Sequence, residues 1–513
     1  MISHLGKTLL FLGILVLGGM PVLYLILSND SLNTEAIQQI SHLQNTFDIS
    51  LKTAGLSTVT AIISSIIGLG IALTLRSSRH TYHWIALYIL CFSLSPYIAA
   101  QGWIQIGGAQ GSLWKLLSMD ANPRLLFSSY GLVFLMCLQF IPLSLLIFVC
   151  TLKHTDRETL DLKRLTHPPR WKSLYFYHLR PNIAPLLFSI LLIFWLAFWN
   201  YETPSILRQN TYALSLYAAF GSFYDYNQAL GYLSHVLYYG IPTLILILWL
   251  TPSLSNNIRS LTEPNSQPRH WVFHISSTIL LLSVPLCILL IPLSGLLSDL
   301  EGMDSLLRYA KNYSGDIKNT LIVSSTSSLI AVTLCLALTF ISSKLNARTI
   351  LSIGALALLM IPPLCSGIGA VHWFAENVSG EAGLERIILV NSIVLLPILL
   401  LPTSLAFPEK SHSQTDTLHL LLPSPFKKLL IFTRPIIMPR VLLLFGFGFL
   451  MVMKEVPASI LNYPPDGSTL SLTIETMLHF DQPKLISGLC LIQLCISLSI
   501  FTIISILYRL CKQ

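Results

Sequence analysis

Charged side chains are scarce in this sequence. Asp, Glu, Lys and Arg together make up 11% of the 513 residues, whereas a typical soluble domain carries about 25%. Hydrophobic residues make up 53% of the chain. The shortage of charge excludes an ordinary soluble globular protein and predicts that lipid surrounds most of the chain.

Patterns that hold metals, cofactors or nucleotides are also missing. The nine cysteines lie in or beside apolar runs, with no C-x-x-C pair and no Cys/His zinc spacing. The sequence has no GxGxxG fingerprint and no complete phosphate-binding loop. We therefore expect no cofactor and no ATP hydrolysis by this chain itself, so it is not an enzyme; whether it contacts a metal stays open. The net charge of +8 is spread over short gaps rather than one basic face, which argues against nucleic acid as a partner.

Long apolar runs dominate what is present. A helix needs roughly 20 apolar residues to cross the hydrocarbon core, and the sequence predicts an all-α polytopic protein with about twelve such helices. They cover residues 8–28, 50–75, 83–103, 125–152, 183–207, 228–251, 272–294, 316–342, 349–373, 387–407, 436–461 and 484–508. The first run lacks a clear cleavage site, so we expect a retained helix rather than a signal peptide.

The distribution of basic residues predicts the orientation. Most of the 31 Lys and Arg residues fall in the loops that share one side with the N-terminus, and positively charged loops stay in the cytoplasm. Both termini are therefore expected to be cytoplasmic. Lys52, Lys318, Lys454 and Lys484 lie at helix ends, where long side chains can snorkel to the headgroups.

The chain also contains an internal repeat. The segment Glu202-Thr203-Pro204 matches Glu455-Val456-Pro457, and Ser95-Pro96 matches Ile361-Pro362. Six predicted helices in each copy give both copies the same orientation. We predict a first half over residues 1–262 and a second half over residues 263–513, joined by the polar stretch 252–271.

Two long basic loops lie at equivalent places in the halves, at 153–180 and 408–435. Each ends in Arg-Pro-x-x-x-Pro, beginning at Arg180 and Arg434. Proline lacks a backbone N–H and disfavours helix in the residue before it, so the chain should break there. One such loop is ordinary, but two in register favour a function.

These loops resemble those of the permease subunits of binding-protein-dependent ABC importers, and within them the fused ferric-iron permeases. The resemblance extends to Pro96–Gln105 and to Lys454-Glu455-Val456-Pro457-Ala458, followed by Thr469-Leu470. Both loops depart from the family motif. The glycine slot holds Pro168 and Leu422, and only the second loop keeps its acid, Asp416.

The resemblance implies a permease in the inner membrane of a bacterium, with two copies of a cytoplasmic ABC ATPase and a periplasmic solute-binding protein as partners. Ferric iron is the best substrate expectation, with thiamine, polyamine, phosphonate and sulfate as alternatives. Each loop would carry a helix that couples to the ATPase. The candidate coupling residues are Glu158, Asp161, Arg164, Leu165, Trp171, Arg180, Pro181, Asp416, Thr417, Leu418, Phe426, Arg434 and Pro435.

Glu202 and Glu455 are the acids closest to apolar runs, each two residues before a proline, Pro204 and Pro457. Ionisable groups within a membrane are functional hypotheses by default. This repeated pair would suit a gate or a relay for a cationic solute. The alternative is that each acid is solvated at the outer interface, beside the proline that ends its helix.

Two rival classes remain. An ion-coupled secondary transporter can also have twelve helices in two parallel halves, but it should carry acids or histidines deep in the bundle. A lipid-modifying enzyme would need a convergent catalytic group, and the sequence offers none.

Overall fold

A computed structural model describes most of the apolar parts of the chain. The described residues are 44–75, 81–108, 123–151, 180–222, 238–246, 281–298, 302–345, 348–377, 383–406, 438–464, 467–478 and 482–512, together with 13–14, 111, 114, 236, 249, 279, 300 and 480. Within them the protein is mainly helical, with no strand.

In the predicted first half, the helices α1 to α7 lie between residues 44 and 217, and residues 238–246 are also helical. The numbered helices are α1 (Gln44–Leu75), α2 (Thr81–Ser93), α3 (Pro96–Gly107), α4 (Ser129–Thr151), α5 (Ile183–Phe198), α6 (Glu202–Ile206) and α7 (Tyr212–Tyr217). Short 3₁₀ turns cover Pro123–Leu125 and Arg180–Asn182, and a π-helical turn covers Ala218–Ser222.

The second-half helices lie between residues 281 and 512. They are α8 (Leu281–Ser298, π-helical over Leu286–Leu290), α9 (Met303–Asn312), α10 (Ser314–Leu345), α11 (Arg348–Leu359), α12 (Pro363–Asn377), α13 (Leu384–Ala406), α14 (Met438–Met453), α15 (Leu470–Leu478) and α16 (Pro483–Lys512).

Six of these helices, α1, α4, α8, α10, α13 and α16, are long and apolar enough to cross a membrane, and the number rises to eight if each bent pair α2–α3 and α11–α12 counts as one span. The fold is therefore consistent with a polytopic membrane protein. Of the twelve predicted stretches, 8–28 apart from residues 13–14 and much of 228–251 lie outside the described residues.

The long helix α1 buries polar residues and exposes apolar ones, which is the opposite of a helix in a soluble protein. Along α1, Ser57, Ser64 and Ser65 are buried, whereas Ile62 and Ile66 are exposed. The Ser65 hydroxyl lies 2.9 Å from that of Ser189 in α5. Small polar residues that pair between helices while large apolar residues point outward are typical of helices packed in lipid.

Two predicted spans are broken rather than straight. The prediction placed single helices over 83–103 and 349–373, but α2 and α3 meet at 84° and α11 and α12 meet at 78°. The breaks fall at Pro96 and at Pro362-Pro363. Each proline lacks the N–H that would continue the helical hydrogen bonds, which explains the bends.

Two other predicted helices end early. The stretches 183–207 and 436–461 correspond to α5 and α14, which end at Phe198 and Met453. Each has 16 residues, about 24 Å of helix against a hydrocarbon core of about 30 Å. After each helix the chain turns. The first Glu-x-Pro motif then lies in the short helix α6, and the second lies in a run of turns.

The same packing partners recur in the two halves. In the first half, α1 packs against α4 and α5, and α2 packs against α4. In the second half, α10 packs against α13 and α14, and α11 packs against α13. The halves also exchange contacts, because α8 packs against α3 and Ile14 belongs to the buried cluster around α11.

One hydrogen bond occurs at the same place in both halves. The Thr53 hydroxyl accepts from the backbone N–H of Tyr212 at 3.0 Å, and the Thr320 hydroxyl accepts from that of Leu470 at 2.8 Å. Thr53 and Thr320 both lie near the start of a long helix, α1 and α10 respectively. Each bond fastens the segment that follows a Glu-x-Pro motif to the long helix of its own half.

Candidate functional site

The first Glu-x-Pro motif follows directly on the end of α5. The Asn200 amide donates to the Gln139 side-chain oxygen in α4 at 2.9 Å, and its own oxygen accepts from the Thr203 backbone N–H at 3.0 Å. These bonds hold the turn in which the chain leaves α5. They place Glu202 in the interior, where it is 7% exposed.

The second motif follows α14 in the same way but with different bonds. The Glu455 carboxylate accepts from the Ala458 backbone N–H at 3.2 Å. The Asn462 amide donates to the carbonyls of Gly367 and Ala458 at 3.0 and 2.9 Å. One carboxylate oxygen of Glu455 is therefore hydrogen-bonded within its own turn, and the side chain is half-buried.

Both motifs line one cavity of about 130 Å³. Its walls come from α2, α4 and the turn after α5 in the first half, and from α11, α12, α13 and the turn after α14 in the second. Most of the lining is apolar or aromatic, including Phe92 and Trp199. Among the described residues, the acids on its wall are Glu202 and Glu455, and the basic residue is Lys454.

Lys454 crosses from the second half to the first. It is 7% exposed, its ammonium donates to the Phe92 carbonyl at 2.9 Å, and it lies 3.9 Å from the centre of the Phe92 ring. In an unbroken helix that carbonyl would accept from the N–H of residue 96, but Pro96 has none. The break in the helix thus leaves the Phe92 carbonyl free at the negative end of α2, where the Lys454 ammonium binds it.

A second contact between the halves runs in the opposite direction. Tyr201, the residue that matches Lys454 in the repeat, donates its hydroxyl to Glu475 at 3.2 Å. The Ser205 hydroxyl donates to the same carboxylate oxygen at 3.4 Å. Glu475 lies in α15 and is 2% exposed, so the residue before each repeated glutamate makes a polar contact with the other half.

Glu202 is a buried acid with an unsatisfied oxygen. Among the described residues its Oε2 atom is buried and has no hydrogen-bond partner. The charges of Glu455, Lys454 and Glu475 act on it across the junction. A buried carboxylate without a hydrogen bond is costly, so this atom is ready to accept from a bound group.

The structure brings together one set of predicted residues and leaves the other undescribed. Glu202, Glu455 and Pro457 line the cavity, and Pro204 is buried in α6. Arg180 and Pro181 form a 3₁₀ turn just before α5. The other candidate coupling residues lie outside the described residues: Glu158, Asp161, Arg164, Leu165, Trp171, Asp416, Thr417, Leu418, Phe426, Arg434 and Pro435.

Two expectations about these side chains are wrong. Glu202 is buried, so the alternative of a solvated acid does not describe it. Lys454 does not snorkel outward, because the carbonyl that Pro96 leaves free attracts it inward. Glu475, Tyr201 and Phe92 were missed altogether. For Tyr201 and Lys454 a signal existed, since each directly precedes a repeated glutamate.

The donor set is poor for a tightly held metal. In the described part of the chain, no group of three or more His, Cys, Asp or Glu side chains is placed to hold a metal ion. Carboxylates on an otherwise apolar and aromatic wall suit a cation that binds weakly. Comparisons with protein-family profiles, curated proteins and solved structures find no match to this chain.

Proposed function

We propose that this chain is the permease of an ATP-driven importer, with the cavity between its two halves as the solute pathway. The observation that carries the proposal is that both repeated Glu-x-Pro motifs line a single cavity. A pathway at the interface of two repeats, with polar groups in an apolar wall, is how many transporters are built.

The packing supports an organisation in two equivalent halves. The recurrence of the α1–α4–α5 arrangement in α10–α13–α14 and the matched bonds of Thr53 and Thr320 are what a tandem duplication with parallel halves should produce. Twelve spans, cytoplasmic termini and a bacterial inner membrane complete the proposal, from the apolar stretches and the basic loops of the sequence.

The wall of the cavity favours a cation as solute. Buried carboxylates attract positive charge and repel sulfate or phosphonate, so among the candidates ferric iron, thiamine and polyamines fit better. Ferric iron, the substrate expected from the family resemblance, is our proposal. A pathway must release its solute, so the weak donor set accords with transient binding.

ATP would be hydrolysed on two copies of a separate ATPase docked on the loops 153–180 and 408–435, and a periplasmic binding protein would deliver the solute. Purification of the tagged chain from native membranes in mild detergent, followed by mass spectrometry, tests this directly. We expect an ATPase at about two copies per permease. Purification without an ATPase, under conditions that preserve other such complexes, would refute the proposal.

One observation favours a second candidate, an ion-coupled secondary transporter. Such a protein needs buried acids, and Glu202 and Glu475 are 7% and 2% exposed. The two functions respond to different treatments. Depletion of ATP at constant membrane potential stops an ATP-driven importer, whereas an ionophore that collapses the ion gradient stops a secondary transporter.

A further inference from the structure

The contact of Lys454 with Phe92 places a positive charge inside the cavity that the proposed solute would enter. Its ammonium rests on a carbonyl and over an aromatic ring of the other half. Lys454 and both glutamates line that cavity, and the three charges act on one another. The protein therefore carries its own cation where a cationic solute would bind.

The carboxyl group of Glu202 can accept more hydrogen bonds than it does in this structure. Glu202 is 7% exposed, lines the cavity and has a buried Oε2 without a hydrogen-bond partner in the described structure. Glu455 keeps one oxygen outside its bond to Ala458. Two carboxyl groups on one wall attract a cation of higher charge more strongly than they attract the single charge of the lysine.

We propose that Glu202 and Glu455 form a binding site for the cationic solute and that Lys454 is a tethered competitor for it, which the solute displaces. The inference rests on the proposed function, since it names the part of the pathway that holds the solute. Lys454 supplies the positive charge in this cavity while the site is empty.

Displacement has a mechanical consequence. The Lys454–Phe92 bond joins the turn after α14 to the end of α2, and the Phe92 ring stacks on Phe447 of α14 at 5.6 Å. A solute that removes the ammonium from this carbonyl weakens the contact between the halves. Occupancy of the site thus favours their separation, which alternate opening requires.

A competitor and a structural lysine predict opposite results on mutation. If Lys454 only stabilises the fold, its loss weakens cation binding as the loss of a carboxylate does. If it competes, its removal strengthens cation binding while loss of the carboxylate weakens it. The variants Lys454→Met and Glu202→Gln test this difference, with Lys318→Met and Glu385→Gln as controls that make the same chemical changes at exposed positions.

Cation binding is measured on the purified full chain in nanodiscs without any ATPase. Terbium(III) represents a trivalent metal, because Trp199 on the cavity wall can sensitise its luminescence. Spermidine, measured by calorimetry, represents an organic polycation. We expect Lys454→Met to tighten the binding of one probe at least about tenfold, and Glu202→Gln to weaken it by a similar factor. The probe that responds identifies the class of solute.

A further variant guards against misfolding. Lys454→Ala leaves space for a small amine, so added propylammonium should compete with the probe in this variant and have little effect on the wild type. Weaker or unchanged binding in both Lys454 variants, or equal effects in the two exposed controls, overturns the inference. This outcome is distinct from failure of the proposed function, which depends on an ATPase that the binding measurement does not contain.

Discussion

The turns that follow α5 and α14 occupy equivalent places in the repeat but have different chemistry. Each contains Glu-x-Pro, and each is followed by a segment anchored on a threonine of the long helix. Before the glutamate, however, the first turn has Tyr201 and the second has Lys454. Tyr201 donates to a carboxylate of the other half, and Lys454 donates to a backbone carbonyl of the other half.

Under the predicted duplication, this difference indicates which features maintain the fold of each half and which have become specialised. The backbone anchors are retained in both copies, because each short segment needs them to stay folded against its own half. The residues that face the junction have diverged into a complementary set, in which the first half supplies a hydroxyl and an acceptor carbonyl and the second half supplies a carboxylate and an ammonium. A single chain allows this asymmetry, which two identical subunits could not have.

The largest effect should come from breaking the second turn alone. A Cβ atom at Gly367 would lie 2.6 Å from the Ala458 carbonyl oxygen and 3.0 Å from the Asn462 amide nitrogen. Backbone cannot move aside as a side chain can, so we expect Gly367→Ala to lower the free energy of unfolding by about 2–3 kcal/mol. Thermal unfolding in detergent measures this. Gly315→Ala, whose added Cβ meets nothing within 4 Å, is the control and should change little.

Removing the two matched anchors tests whether the halves are equivalent. Thr53→Val and Thr320→Val each leave a buried backbone N–H without its acceptor, of Tyr212 and Leu470 respectively. Each should cost about 1–2 kcal/mol, and the two costs should be similar. Unfolding of both single variants and the double variant by denaturant checks this. A large cost in one half with none in the other would contradict the equivalence of the anchors.

The smallest effect concerns the contact on Glu475. Tyr201→Phe removes one donor, but the Ser205 hydroxyl still donates to the same oxygen. We expect a loss of about 0.5–1 kcal/mol for Tyr201→Phe, and more for the double variant with Ser205→Ala, since the carboxylate then loses both donors. A double-mutant cycle read by thermal unfolding gives the coupling. Strict additivity would show that the two hydroxyls do not share the carboxylate.

Much of the fold could be predicted from the sequence, because apolar runs long enough to cross a bilayer are a strong local signal. The breaks at Pro96 and Pro362 were missed, since proline is tolerated inside membrane helices and its effect depends on the packing around it. The early ends of α5 and α14 were missed because the residues after them are still largely apolar.

The candidate site could be predicted only in part. Repetition singled out Glu202 and Glu455 and their prolines. Burial of Glu202 depends on the Asn200–Gln139 bond, which joins the turn after α5 to α4. The two residues are 61 positions apart in the sequence. The inward path of Lys454 depends on a carbonyl 362 positions away. Such long-range pairings leave no pattern in a single sequence.

The measurement that tests the central claim most directly is uptake of iron-55 into proteoliposomes that contain the purified permease complex. Wild-type uptake should require ATP inside the compartment that represents the cytoplasm. Glu202→Gln should lower uptake at limiting substrate about tenfold or more while the amount of associated ATPase stays the same. Uptake that proceeds without ATP, or that is unchanged in Glu202→Gln, would contradict the account of this cavity as the pathway of an ATP-driven importer.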